Sequence, residues 1–144
     1  QPQMAGDHFL GGGAVAVLGP ALGQHEFLFR LQHRKLPDFL QIAVKTAFAG
    51  GDPNWGRILA AAGRSGAAIE PERLALWVGA PGAEPLQLVH AGTPTAFGEA
   101  DAAAVFARPE FTAHVDLGLG DGEATLWTTD LTHEYVTINA DYRT

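Results

Sequence analysis

Six consecutive residues, Asp52-Pro53-Asn54-Trp55-Gly56-Arg57, bring a carboxylate, an amide, an indole and a guanidinium together. The guanidinium fork of Arg57 suits bidentate pairing with a carboxylate. The free backbone N–H groups at a helix start can also hold an anion. Each residue has a structural task as well, at a corner leading from a strand into a helix. Asp52 can cap that helix with Pro53 at its first position, where the missing N–H costs nothing. Trp55 can pack into a core, and Gly56 lets backbones approach closely. The structural reading takes precedence for this segment.

Other reactive side chains are less persuasive. Six histidines are present, and His25-Glu26 and Asp130 with His133 and Glu134 are their acid-rich neighbourhoods. A metal site needs three or four converging ligands, and no H-E-x-x-H pattern occurs, so no metal is expected. Thr128, Thr129 and Thr132 cluster, but no neighbouring base or free amine activates them as nucleophiles. Strand propensity and helix capping account for them. Gly118-Leu119-Gly120-Asp121-Gly122 lacks the lysine and the strand-to-helix setting of a phosphate loop, and reads as a hairpin.

The elements that must position these residues are read from periodicity and turn chemistry. Ala14 to Leu18 reads as a short strand, and His25 to Leu40 as a short helix stopped near Pro37. Ile42 to Phe48 is rich in strand formers and is expected to be a strand. Gly50-Gly51-Asp52-Pro53 stops it, and Trp55, Ile58, Leu59 and Ala62 then recur at helical spacing, ending at Gly63 and Gly66. Leu74 to Val78 and Leu86 to Val89 read as strands, with turns at Pro81-Gly82 and at Gly92-Thr93-Pro94. Glu99 to Ala107 reads as a helix stopped by Pro109. Phe111 to Leu117 and Glu123 to Thr129 read as strands joined by a hairpin at Gly120-Asp121-Gly122. Asp130 or Thr132 caps a last helix running through Tyr135 and Ile138. The pattern predicts an α/β fold with α+β-like layers: a sheet with hairpins, packed by helices, forming part of a larger two-layer sandwich.

The chain has 144 residues, 47% hydrophobic and 17% charged, which suits one soluble domain. Its net charge of −7 is uneven. Residues 1–72 hold six acidic and six basic side chains, whereas residues 73–144 hold ten and three. An acidic half disfavours nucleic-acid backbones, so no nucleic-acid partner is expected, and a cationic or zwitterionic small molecule fits better. No apolar run reaches the roughly 20 residues of a membrane helix. Cysteine is absent, which excludes disulfides and thiolate chemistry and fits a cytoplasmic protein. A start at Gln1 without a leader pattern reads as a processed chain or a fragment.

Two long blocks resemble one family. Val44-Lys45-Thr46-Ala47-Phe48-Ala49-Gly50-Gly51-Asp52-Pro53-Asn54-Trp55-Gly56-Arg57-Ile58-Leu59-Ala60-Ala61 is similar to a "VKTA…G-D-P-N-W-G-R-I" signature. Asp130-Leu131-Thr132-His133-Glu134-Tyr135-Val136-Thr137-Ile138-Asn139-Ala140-Asp141-Tyr142-Arg143-Thr144 is similar to an ending "DL-T-x-x-YV-x-INADYRT". Phe97-Gly98-Glu99-Ala100-Asp101 and Val115-Asp116-Leu117-Gly118 sit between them where similar stretches occur. The blocks resemble the C-terminal part of the β chain of the ornithine acetyltransferase (glutamate N-acetyltransferase) family. The likeness covers about residues 41–144, and residues 1–40 form a poorly matching N-terminal segment.

The resemblance implies transfer of an acetyl group from N-acetylornithine, or from acetyl-CoA in some members, to glutamate in arginine biosynthesis. No bound cofactor is implied. The family precursor cuts itself before a threonine, which heads the β chain as nucleophile, and two α and two β chains assemble. Transfer is ping-pong through an acyl-threonine, with an oxyanion hole beneath the tetrahedral intermediates. The self-cleavage block ending in "ATML" and the "DGEGATK" stretch are absent from this sequence, so it holds no catalytic residue of the family. A Gly-Cys pair before the final Asp-Leu is replaced by Thr128-Thr129. Asn139 and Thr144 match the substrate-binding positions at the C-terminus. An amide and a hydroxyl suit the carboxylate and amine of an amino acid. From the residues alone, Asn139 caps the last helix and Thr144 frays as a chain end. The expectation is a C-terminal piece of the enzyme; the alternative is an inactive remnant or binding module of the same fold.

Overall fold

The structure, a computed structural model, describes residues 24–30, 42–120 and 122–141. The expected strand at Ala14 to Leu18, and residues 31–40 of the expected first helix, lie outside them. Ten elements follow in chain order: β1 (Gln24–Arg30), α1 (Ile42–Ala49), α2 (Trp55–Arg64), β2 (Ala75–Gly79), β3 (Leu86–His90), β4 (Thr93–Pro94), α3 (Glu99–Phe106), β5 (Thr112–Asp116), β6 (Glu123–Thr129) and α4 (His133–Asp141). A short 3₁₀ turn at Pro71–Arg73 precedes β2. The α/β layering is as expected: helices α1 to α3 supply core residues against one mixed sheet.

The sheet runs β4-β3-β2-β5-β1-β6. The strands β4, β3, β2 and β5 are antiparallel neighbours. The strand β1 lies parallel to β5 and antiparallel to β6. Leu76 lies opposite Val115, and Val78 opposite Ala113. These four residues are fully buried, together with Leu88 and Phe111, in the core that α1 to α3 share. Phe48 of α1, Phe106 of α3 and Phe111 before β5 form an aromatic cluster with ring centroids 4.7 to 5.7 Å apart. Alternation sends Trp77 and His114 to the opposite sheet face, where their rings lie 5.2 Å apart.

Three expectations change. The segment from Ile42 is a helix, not a strand. Its buried residues are Val44, Ala47 and Phe48, an i, i+3, i+4 set that one helix face presents. The Thr46 hydroxyl donates back to the Ile42 carbonyl at 2.9 Å. The helix stops at Gly51, whose φ of 62° is left-handed. There the Asp52 N–H reaches the Ala47 carbonyl and the Gly51 N–H the Phe48 carbonyl, both at 2.9 Å, closing a Schellman end. Residues 24–30 are a strand rather than the start of a helix, and they occupy the slot between β5 and β6. The strands β5 and β6 are therefore not a hairpin. Their connection steps over β1, a lateral distance of roughly 10 Å at the usual strand spacing. The Gly118 N–H holds the start of that connection by donating to the Asp116 carboxylate at 2.7 Å. An Asp-Gly turn signal specifies local backbone and not which strands become neighbours.

Candidate functional site

The Asp52–Arg57 segment forms a corner between two helices, α1 and α2. The cap of α2 is Asn54, two residues later than expected. Its Oδ1 accepts the Arg57 N–H at 3.1 Å, and its Nδ2 donates to the Asp52 carboxylate at 3.1 Å. Pro53 precedes the cap instead of opening the helix. Ile58, Ala61 and Ala62 are the buried positions of α2, and Trp55 packs partly buried against the core. The Arg57 guanidinium donates to the Ala43 carbonyl at 3.1 Å and ties α2 to α1. An arginine turned onto the α1 backbone and an amide already seated on the Arg57 N–H leave this corner with structural roles.

The corner also forms one wall of an open cleft of about 520 Å³. Asp52, Asn54, Trp55 and Gly56 face Phe97, Glu99 and Ala103 across it. Two aromatic side chains and two carboxylates suit an apolar or cationic group better than a phosphate. A second cleft, of about 440 Å³, lies behind Gly50 and Gly51 and is lined by Phe48, Phe106, Arg108, Pro109 and Asp130. The sequence gives no sign that residues 52–56 and 97–103 share a wall, because forty residues and three strands separate them.

Asn139 lies on α4, exposed to solvent. Its Nδ2 donates to the Tyr135 carbonyl one turn earlier, at 2.8 Å. Its Oδ1 and second amide hydrogen remain for another partner by the ordinary capacity of an amide. The cap of α4 is Thr132, whose hydroxyl accepts the Tyr135 N–H at 3.2 Å. Asn139 therefore sits inside the helix and does not cap it. Among the described residues, none of α4 lines either cleft. Thr144 lies outside the described residues.

The remaining candidates take structural places. Thr128 donates to the Thr129 carbonyl at 3.2 Å within β6. His114 is buried against Trp77, and His90 sits 3.3 Å from the Gln87 amide. Among the described residues no group of three His, Asp or Glu side chains is placed to hold a metal. No described helix is long and apolar enough to cross a membrane.

A mixed sheet that shares its core with α1 to α3 defines a layered α/β domain. The chain belongs to the ArgJ family, whose model matches residues 41–144. It is 52% identical over 103 residues to the arginine biosynthesis bifunctional protein ArgJ of Geobacter sulfurreducens, covering 70% of this chain and 25% of that one. It is 50% identical over 101 residues to the same-named protein of Symbiobacterium thermophilum, covering 70% and 24%. A mitochondrial ArgJ of Schizosaccharomyces pombe is 48% identical over 101 residues, covering 69% and 23%. The crystal structure of the arginine biosynthesis bifunctional protein argJ from Bacillus halodurans superposes with a TM-score of 0.72 at 30% identity, over 83% of this chain and 58% of that one. The chain thus spans about a quarter of the length of the curated relatives it matches.

Proposed function

We propose that this chain is the C-terminal part of an acetyltransferase β chain that moves an acetyl group from N-acetylornithine to glutamate in arginine biosynthesis. The observation that supports it most is the family match over residues 41–144, which includes both signature blocks at about half identity to arginine biosynthesis bifunctional proteins. In this reading the acetyl group is carried on a threonine hydroxyl that the 144 residues do not supply. That hydroxyl attacks the acetyl carbonyl and releases ornithine. The amine of glutamate then takes the acetyl group and frees the hydroxyl. Use of acetyl-CoA as a second donor would make the enzyme bifunctional, in line with the names of the relatives.

Asn139 and Thr144 bind substrate in this reading. The Asn139 amide offers both polarities to the carboxylate and ammonium groups of an amino acid, and the Thr144 hydroxyl does the same on a smaller scale. The partner is the α chain of the same self-cleaving precursor, in an α2β2 assembly working in the cytoplasm. Residues 1–40 lie outside the family match, although Gln24–Arg30 pairs with β5 and β6 in the sheet.

The test is the enzyme reconstituted from this chain and the remainder of the Geobacter sulfurreducens relative. An Asn139→Ala variant is expected to raise KM for N-acetylornithine about tenfold, the loss of one hydrogen bond to a charged group. The unfolding midpoint of the chain alone stays unchanged, because Asn139 is exposed there. An unchanged KM would remove Asn139 from the site, and absence of transfer by the reconstituted wild type would favour an inactive remnant.

A further inference from the structure

We propose that the cleft behind the end of α1 binds a free α-amino acid with an apolar side chain. The proposal goes beyond the acetyltransferase reading and does not depend on it.

This cleft, of about 440 Å³, lies where three pieces of chain converge. Gly50 and Gly51 bring the Schellman end of α1, Phe106 to Pro109 bring the end of α3, and Asp130 brings the exit from β6. The volume falls in the usual range for a small-molecule site. Arg108, exposed, and Asp130, half-buried, are the charged side chains of its lining. They share the cleft without pairing with each other. Among the described residues neither charged group has an ion-pair or hydrogen-bond partner. The C-terminal ends of α1 and α3 line the same cleft, and helix C-termini carry partial negative charge. Asp130 adds to that negative region, which favours a cation with several hydrogen-bond donors. The carboxylate is also held in place. The Leu131 N–H donates to the Lys45 carbonyl at 3.2 Å and ties the backbone beside Asp130 to α1.

An α-amino acid carries one group for each of these side chains. The Arg108 fork suits the α-carboxylate, and Asp130 accepts from the α-ammonium. A phosphate or a polyamine would satisfy only one of the two. The rest of the lining is glycine and apolar side chains, led by Phe48, Phe106 and Pro109. No third charged side chain among the described residues lines the cleft. A ligand side chain with its own charge would lose water there without gaining a partner. The site therefore selects an apolar side chain.

Calorimetric titration of the full 144-residue chain with L-phenylalanine and L-leucine tests the proposal. Saturable binding is expected, with a Kd of about 1 mM. N-acetyl-L-phenylalanine, which lacks the ammonium, and L-phenylalaninamide, which lacks the carboxylate, should each bind about tenfold more weakly. Arg108→Gln should weaken L-phenylalanine about tenfold and leave the amide unaffected, and Asp130→Asn should do the same with the N-acetyl compound unaffected. That matching of variant to ligand separates recognition from damage to the fold, because a variant that does not fold loses every ligand. In the wild type, the Gly50 and Gly51 amide resonances should shift as L-phenylalanine is added. Absence of saturable binding or of those shifts in the wild type would overturn the proposal. So would affinity that folded variants retain, or L-glutamate or L-ornithine bound as tightly as L-phenylalanine. Acetyl transfer by the reconstituted enzyme is a separate reading, and its failure would leave this site untouched.

Discussion

Asn54 and Gly92 show how much single backbone positions determine here. The Asn54 side chain satisfies the Arg57 N–H, one of the donors that the start of α2 would otherwise leave unpaired. Replacing it with alanine should cost about 1 kcal/mol, read as a lower urea midpoint. Asp52→Ala, which removes only the exposed Asp52 carboxylate from the Asn54 amide, should cost less. Gly92 stands in the two-residue turn between β3 and β4, where Ala91 and Gly92 both take positive φ, 47° and 73°. A Cβ on Gly92 would lie 2.1 Å from the Pro71 carbonyl oxygen. The Gly92 N–H also donates to the Leu74 carbonyl at 2.8 Å. Gly92→Ala should therefore cost more than the roughly 1–3 kcal/mol of a strained backbone alone, measured by the same unfolding experiment. The expected turn at Gly92-Thr93-Pro94 holds only at Gly92, because Thr93 and Pro94 pair with β3 as β4. Asp52-Pro53 matches the usual start of a helix, two residues before the actual cap at Asn54. What could not be foreseen is that the Schellman end of α1 uses the Asp52 N–H and so holds residue 52 outside the next helix.

The aromatic cluster of Phe48, Phe106 and Phe111 joins α1 and α3 to the strand layer. Phe111 is fully buried, with Phe48 edge-on at 5.1 Å and Phe106 tilted at 4.7 Å. Phe111→Ala should cost about 3–5 kcal/mol, the range for emptying an aromatic position in a core. A denaturation midpoint near the wild-type value would mean that the cluster does not join the layers. Five of the expected strands and helices, β2, β3, β5, β6 and α3, fall close to their sequence boundaries because their patterns are unambiguous. In α1 the β-branched and aromatic content points to a strand, whereas the spacing of the buried Val44, Ala47 and Phe48 belongs to a helix face. Gln24–Arg30 carries no clear local signal. Three apolar residues in a row between polar ones satisfy neither period, and tertiary pairing with two strands decides the outcome.

The order β4-β3-β2-β5-β1-β6 cannot be read from local patterns, because inserting β1 between β5 and β6 depends on long-range pairing. Family membership was legible, since two ordered blocks near the ends of residues 41–144 carry it. The site was legible only in part. Asn139 is marked by the family resemblance alone, and among the described residues none of α4 lines either cleft. Under the proposed function, activity requires polypeptide that the relatives possess beyond the segment this chain matches. The most direct measurement is acetyl transfer from N-acetylornithine to glutamate by the purified chain alone and after co-expression with the remainder of the Geobacter sulfurreducens relative. The proposed function predicts no transfer by the chain alone and transfer by the combination. Transfer by the chain alone would contradict it, because a nucleophile would then have to lie within these residues.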